Sequence, residues 1–341
     1  MTVADATYGS DRVGLVWGYL FAPGSPGSLL GSDDVVGRLA RQSGSEVGEF
    51  VWLHFNLANA SCVSWLRQHL WLPDAFYASL EQGSSPYSAS TRVELADDTV
   101  MAVLNDVRFF ALDTSDAATL SLCANQRLLV TVRTTPLRSV DRLRAAVKAG
   151  ERFRSPVELL AHLLRDQADV LVQIVREATV QVDAIEDKLF SGQALSSRPK
   201  LGTLRRVLVR LQRLLAPEPA ALFRLLNRPP AWIDPDDVSD LRQSAEELSA
   251  AVADSVALVE RVRLLQEELI ALVNEQTNRT LFVLTVVTVL ALPLTIIPGL
   301  FGMNVGGVPL REHEGGFWIV LGLLSLLIGL GAWWAFGRHR D

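Results

Sequence analysis

The residues best suited to chemistry in this 341-residue chain lie near its C-terminus, in Gly299-Leu300-Phe301-Gly302-Met303-Asn304. None is a nucleophile or a strong metal ligand. What Gly302 and Asn304 offer is oxygen, a backbone carbonyl and an amide carbonyl, each able to accept hydrogen bonds from the water shell of a divalent cation. Repeated around a ring of subunits, such oxygens could recognise a hydrated ion without stripping it. Upstream, Thr277, Leu281, Leu284, Thr288, Leu292 and Thr295 fall within about 40° of one line at about 100° per residue. Hydroxyls separated by apolar side chains suit an aqueous path with constrictions that close by dewetting. The same hydroxyls could instead bond back to their own helix carbonyls. Downstream, Glu312, His313 and Glu314 could attract cations or form a solvated charge run. Glu267 and Glu268 are the candidate proton or cation groups in the stalk, because no titratable side chain occurs between Thr280 and Leu310.

The elements that must position these residues are membrane spans. Leu281 to Phe301 is a run of 21 residues without an ionisable side chain, and Phe317 to Phe336 is a run of 20. Each reaches about 30 Å as a helix, the thickness of a bilayer core. A joining loop of 15 residues, 302–316, makes the two spans a hairpin. Arg279 precedes the first span and Arg338, His339 and Arg340 follow the second, which places both termini in the cytoplasm. Met1 to Gly14 lacks the apolar core of a signal peptide. The mean hydropathy of +0.23 therefore reflects two concentrated stretches more than a greasy core.

Ahead of the membrane, 1–150 reads as α/β. Strands are expected at Val13–Phe21, Phe50–Leu57, Arg92–Leu95, Val100–Phe110 and Arg127–Arg133, with helical character around 31–42 and 61–81. A helical region follows at 151–235. Its long helix starts at Ser155 and Pro156 and carries an apolar stripe from Leu160 to Leu189, and a third helix near Leu201–Leu215 breaks at Pro217 and Pro219. From Asp236 to Leu292 there is neither Gly nor Pro, so 236–280 reads as a stalk continuous with a first span at 281–301. Leu241, Ala245, Leu248, Val252, Ser255, Val259, Val262, Gln266, Leu269 and Val273 follow a 4,3 heptad. Such a rod could couple a cytoplasmic event to the membrane or serve as a spacer. The second span is 317–336 and the tail 337–341.

Composition excludes several classes. The net charge of −6 argues against nucleic acid as a partner, and two cysteines, Cys62 and Cys123, exclude a disulfide scaffold. There is no phosphate-binding glycine loop, His-Glu-x-x-His or Gly-x-Ser-x-Gly, so neither an enzyme nor a resident cofactor is expected. His54, His69 and His162 read as structural. Asp183, Glu186 and Asp187 form an acidic helix face that could take a regulatory cation or be solvated.

At Gly302-Met303-Asn304, placed at the outer end of the first of two C-terminal spans, the sequence resembles the CorA-type divalent metal-ion transporters. Leu292-Pro293-Leu294-Thr295, Gln181 to Phe190 and Leu204-Arg205-Arg206 through Pro217 extend the likeness over nearly the whole chain. The resemblance implies a funnel-shaped homopentamer with a cytoplasmic α/β domain, long helices and a two-helix transmembrane hairpin in a bacterial inner membrane. It implies an entrance at Gly302 and Asn304 and a pore lined by Thr295, Leu292, Leu284 and Leu281. Where the magnesium branch continues with Met-Pro-Glu, this chain has Val305-Gly306-Gly307-Val308-Pro309, which looks like the zinc-transporting ZntB branch. That branch implies Zn²⁺ as cargo, with proton coupling. Magnesium, cobalt or nickel is the alternative cargo, and a membrane-anchored scaffold or sensor is the alternative of another class. Zinc would have to pass hydrated or bound by oxygens, since neither span offers His, Cys or carboxylate.

Overall fold

The computed structural model describes residues 9–40, 48–82, 91–107, 117–190, 198–303 and 315–337. Two compact units divide within a long helix, at Leu265 and Gln266.

The first unit is built on a sheet. Its strands are β1 (Leu15–Phe21), β2 (Ser28–Leu30), β3 (Phe50–Asn56), β4 (Arg92–Ala96), β5 (Thr99–Val107), β6 (Ala117–Ala124) and β7 (Leu128–Arg133), in the order β2-β1-β3-β7-β6-β5-β4. Neighbours are antiparallel except β3 and β7. Helices α1 (Ser32–Ala40), α2 (Cys62–His69) and α3 (Asp74–Gln82) cover one face, where Val35, Trp65 and Phe76 meet Leu53, Phe55 and Val130. The other face packs Trp52, Leu104 and Leu122 against α4 (Arg138–Lys148), α5 (Pro156–Phe190), α7 (Pro217–Leu226) and the start of α8 (Pro235–Phe301). β7, LLVTVR, is covered on both faces and all six of its residues are buried, Thr131 and Arg133 included.

Two strands lie outside the sequence expectation. β6, AATLSLCA, is rich in the small residues that favour strands weakly, and its pairing with β5 and β7 on either side overrides that preference. β2 is a three-residue edge. The helical stretch around 61–81 is two helices, because Pro73 and the extended Leu70 interrupt it. Residues 108–110 of the strand expected at Val100–Phe110 lie outside the described residues.

The helices follow their start and stop signals closely. Ser155 Oγ accepts from the Glu158 N–H at 2.9 Å and Glu158 returns a carboxylate to the Arg154 N–H at 2.6 Å, the reciprocal cap that fixes the start of α5. Leu160, Leu164, Leu171, Ala178, Val182, Ile185 and Leu189 are buried along its stripe. α6 (Arg198–Leu215) ends ahead of Pro217, which opens α7 in its first turn. Leu171 of α5, Leu215 of α6 and Ala251 with Val252 of α8 form a separate apolar cluster.

α8 is a single helix of 67 residues. Its heptad seam is buried at Leu241, Ala245, Leu248, Val252 and Ser255 and again at Val262 and Leu269. Leu258 and Leu265 are buried where Val259 and Gln266 are half-exposed. Two arginines tie α8 to α5. Arg154 bonds Asp237 at 2.9 Å and also Asp240, while Arg261 bonds Asp183 at 2.7 Å and also Glu186. These partly exposed pairs fix register more than they add stability.

The packing at the base of α8 gives a direct test. Leu248 is fully buried, so Leu248→Ala should destabilise the first unit by about 2–5 kcal/mol through the cavity it leaves. The exposed Val256, cut to Ala, should change stability by no more than about 0.5 kcal/mol. Denaturant unfolding of the detergent-solubilised protein, followed by tryptophan fluorescence, measures both.

Candidate functional site

In the second unit, α8 from about Leu281 onward is apolar all round and exposed. Its most apolar window has a mean hydropathy of 2.5 with only 6% buried within the chain. A core helix of that composition would be covered, so this surface calls for lipid or for other copies of the chain. Among the described residues α8 alone is long and apolar enough to cross a bilayer, and the described apolar stretch of α9 (Gly316–Gly337) is Gly316–Gly331. Trp318 and Trp333, near the two ends of α9, are exposed as interfacial tryptophans would be.

The chain covers one face of α8 and leaves the opposite one open. Phe282, Val286, Leu290, Pro293 and Ile297 are half-buried at spacings of three and four. α9 lies against this row at Leu290, where a Cβ on Gly331 would come within 2.8 Å of Leu290 Cδ2 and would make that side chain shift. The facing row on α9 is Val320, Leu324, Ile328 and Gly331. Thr277, Leu281, Leu284, Thr288, Leu292 and Thr295 are all exposed, on a line roughly 160° around the helix from the covered row. The covered row was not singled out in the sequence, although its spacing was there to be read.

The threonine hydroxyls do bond back to the helix. Thr277 donates to the Val273 carbonyl at 2.8 Å, Thr288 to Leu284 at 2.8 Å and Thr295 to Leu292 at 2.9 Å. This does not remove them from a conduit. A hydroxyl whose proton is committed to a carbonyl turns its lone pairs outward, the polarity that a cation or its hydration water prefers.

Pro293 and Pro298 lie inside α8, which runs through both to Phe301. Each removes one N–H from the ladder, a loss tolerated in membrane helices where neighbouring groups compensate. The Gly302 N–H closes the end on the Pro298 carbonyl at 2.8 Å, and Met303 follows, exposed. A side chain at position 302 would place Cβ 3.1 Å from that carbonyl, tight enough to disturb the closure. Asn304, Glu312, His313 and Glu314 lie outside the described residues, as do Arg338, His339 and Arg340.

Glu267 and Glu268 are exposed on α8. Asp183 and Glu186, considered above for a regulatory cation, are engaged by Arg261, which supplies the positive charge itself. No group of three or more His, Cys, Asp or Glu able to hold a metal occurs among the described residues. His54 is fully buried, stacked on Trp17 at 4.2 Å, with Nδ1 2.8 Å from Thr131 Oγ1 and Nε2 accepting from Arg133 at 2.6 Å. Burial, reinforced by Arg133 and Arg144, keeps it neutral. His162 sits 3.0 Å from Asp166, whose hydrogen bond raises its proton affinity. His69 packs on Trp65. Burial pushes the Cys62 and Cys123 thiols up to about 12, so both are inert.

Comparison with known proteins bears on the whole chain. The sequence profile of the family described as CorA-like Mg²⁺ transporter protein matches residues 47–338. The divalent cation transporter CmaX of Pseudomonas aeruginosa is 29% identical across 97% of each chain. The zinc transport protein ZntB of Pectobacterium atrosepticum is 24% identical, covering 83% of this chain and 85% of its own. The solved structure of full-length CmaX superposes with a TM-score of 0.78 at 25% identity, over 97% of this chain and 99% of that one. With an α/β unit, a 67-residue helix and a C-terminal apolar helix in common order, and a profile match over most of its length, the chain belongs to the CorA-like transporter family.

Proposed function

We propose that this protein moves divalent cations across a membrane along an axis shared by several copies, five by the family resemblance. The observation that carries this is the open threonine–leucine face of α8, opposite the row that α9 covers. Two helices cannot enclose a path alone. With α9 behind, the uncovered face is left to meet its counterparts around an axis, while the outer surfaces face lipid. The 15-residue connection, 302–316, then returns the chain across the bilayer and keeps both ends in the cytoplasm.

Zinc is the cargo this reading favours. The zinc transport relatives and the Gly306-Gly307-Val308-Pro309 loop support it, whereas the family description names magnesium and the CmaX relative is named for divalent cations in general. Mg²⁺, Co²⁺ or Ni²⁺ is the second reading. On either, the path offers hydroxyl and carbonyl oxygen and no soft ligand, so the ion travels with water. Asn304 and Gly302 form the entrance, with Met303 between them. Glu312, His313 and Glu314 raise the local cation concentration, and Glu267 and Glu268 are assigned any proton coupling.

Flux into proteoliposomes tests the entrance and the cargo together. Asn304→Ala removes an oxygen that contributes about 1 kcal/mol per copy, and summed over a ring this should cut flux more than tenfold, a tenfold change being about 1.4 kcal/mol. Unchanged flux would remove Asn304 from the entrance, and a wild type without flux would favour a scaffold or sensor. Faster Mg²⁺ than Zn²⁺ uptake would transfer the cargo to the second reading.

The face assignment has its own test in membranes. Cysteines at Leu284 and Thr288 should react with a water-soluble thiol reagent, and cysteines at Val286 and Leu290 should not. The inert Cys62 and Cys123 give no background.

A further inference from the structure

The connection between α4 and α5, residues 149–154, turns at Gly150 and carries two anchors. Phe153 is buried edge-on against Phe21, and Arg154 makes the clamp on Asp237 and Asp240 at the start of α8. At its α4 end the Glu151 N–H is held by the Ala146 carbonyl at 3.2 Å. From α5, His162 reaches this connection at two points. Its Nε2 lies 3.5 Å from Glu151 Oε1, and its ring meets that of Phe153 edge-on at 5.5 Å. On the other side of the ring, Nδ1 is 3.0 Å from Asp166 Oδ2, one turn further along α5.

Both nitrogens of His162 thus face carboxylates. An ionised carboxylate only accepts hydrogen bonds, whereas a neutral imidazole has one N–H and one lone pair, so the neutral ring serves one partner and turns its lone pair on the other. The imidazolium serves both. The charged groups acting on the ring are Asp166 and Glu151, which favour its charge, and Arg165 of the same helix, which opposes it. Glu158, one turn back, is taken up by Arg154, whose guanidinium is itself committed to Asp237 and Asp240. In agreement with this geometry, the hydrogen bond to Asp166 outweighs the cost of burial and raises the titration of His162 above its ordinary 6.5.

We propose that His162 is a pH-operated latch: its imidazolium ties the α4–α5 connection to α5 through Glu151, and loss of the proton frees Glu151 and slackens the connection that carries the Arg154 clamp. Because the folded protein holds this proton more tightly than the unfolded chain, the stabilising contribution is complete below 6.5 and is lost as pH rises through the folded value. The latch is therefore closed in mild acid and open in mild alkali. With Glu151 47% exposed, the pair adds little to global stability, so its effect is read locally. This inference stands apart from the transport reading, and its test reads no flux.

Hydrogen exchange of the full-length protein in detergent, followed by mass spectrometry on peptides within 149–158, compares the wild type with His162→Gln at each pH from 6 to 9. The ratio of the two rates removes the intrinsic effect of pH on exchange. At pH 6 the wild type should exchange several-fold more slowly than the variant, and at pH 9 the two should match. A ratio that stays constant across this range would overturn the proposal. Glu151→Gln removes the partner at a more exposed position and supplies the same comparison should His162→Gln fail to fold. It should show the same convergence with the wild type at pH 9, and a wild-type advantage that persists there would also overturn the latch.

Discussion

The constraint on which the second unit depends is that a helix apolar on every side must be covered by something other than water. In α8 beyond Leu281 the chain supplies cover for one row of side chains and no more. Lipid can cover the flanks, where backbone hydrogen bonds are already satisfied within the helix. The row with hydroxyls is different, because Thr277, Thr288 and Thr295 gain little from hydrocarbon and gain more from each other and from water. The proposed association around that row reconciles the two demands.

A second consequence concerns what kind of ion such a path can handle. The donors along it are hydroxyl and carbonyl oxygens, and the threonine protons are committed to helix carbonyls, so what remains facing outward is acceptor character. On the proposed reading, that chemistry stabilises a hydrated divalent ion in passing and holds none tightly. It separates cations from anions more readily than zinc from magnesium, which places the burden of discrimination on the entrance and its loop.

How much of this could be read from sequence varied with the kind of interaction. Local signals were faithful: Ser155 and Pro156 start α5, Pro217 opens α7, and the apolar runs at β1, β3, β5 and β7 are strands. The threonine–leucine line of α8 came from spacing alone, and every residue on it is exposed. What failed was non-local. β6 is a strand because of its two neighbours, and the clamps of Arg154 and Arg261 join residues far apart in the chain. Glu218, in the first turn of α7, is buried by tertiary packing.

The central claim is that the Leu284–Thr288–Leu292 face of α8 surrounds an axis shared by identical subunits. A single-particle structure of the full-length protein in lipid nanodiscs measures this directly. The account predicts a ring in which those three side chains point to the axis and α9 packs outside, against Leu290. A ring with Phe282, Val286 and Leu290 turned to the axis, or a monomer with the threonine row in lipid, would contradict it.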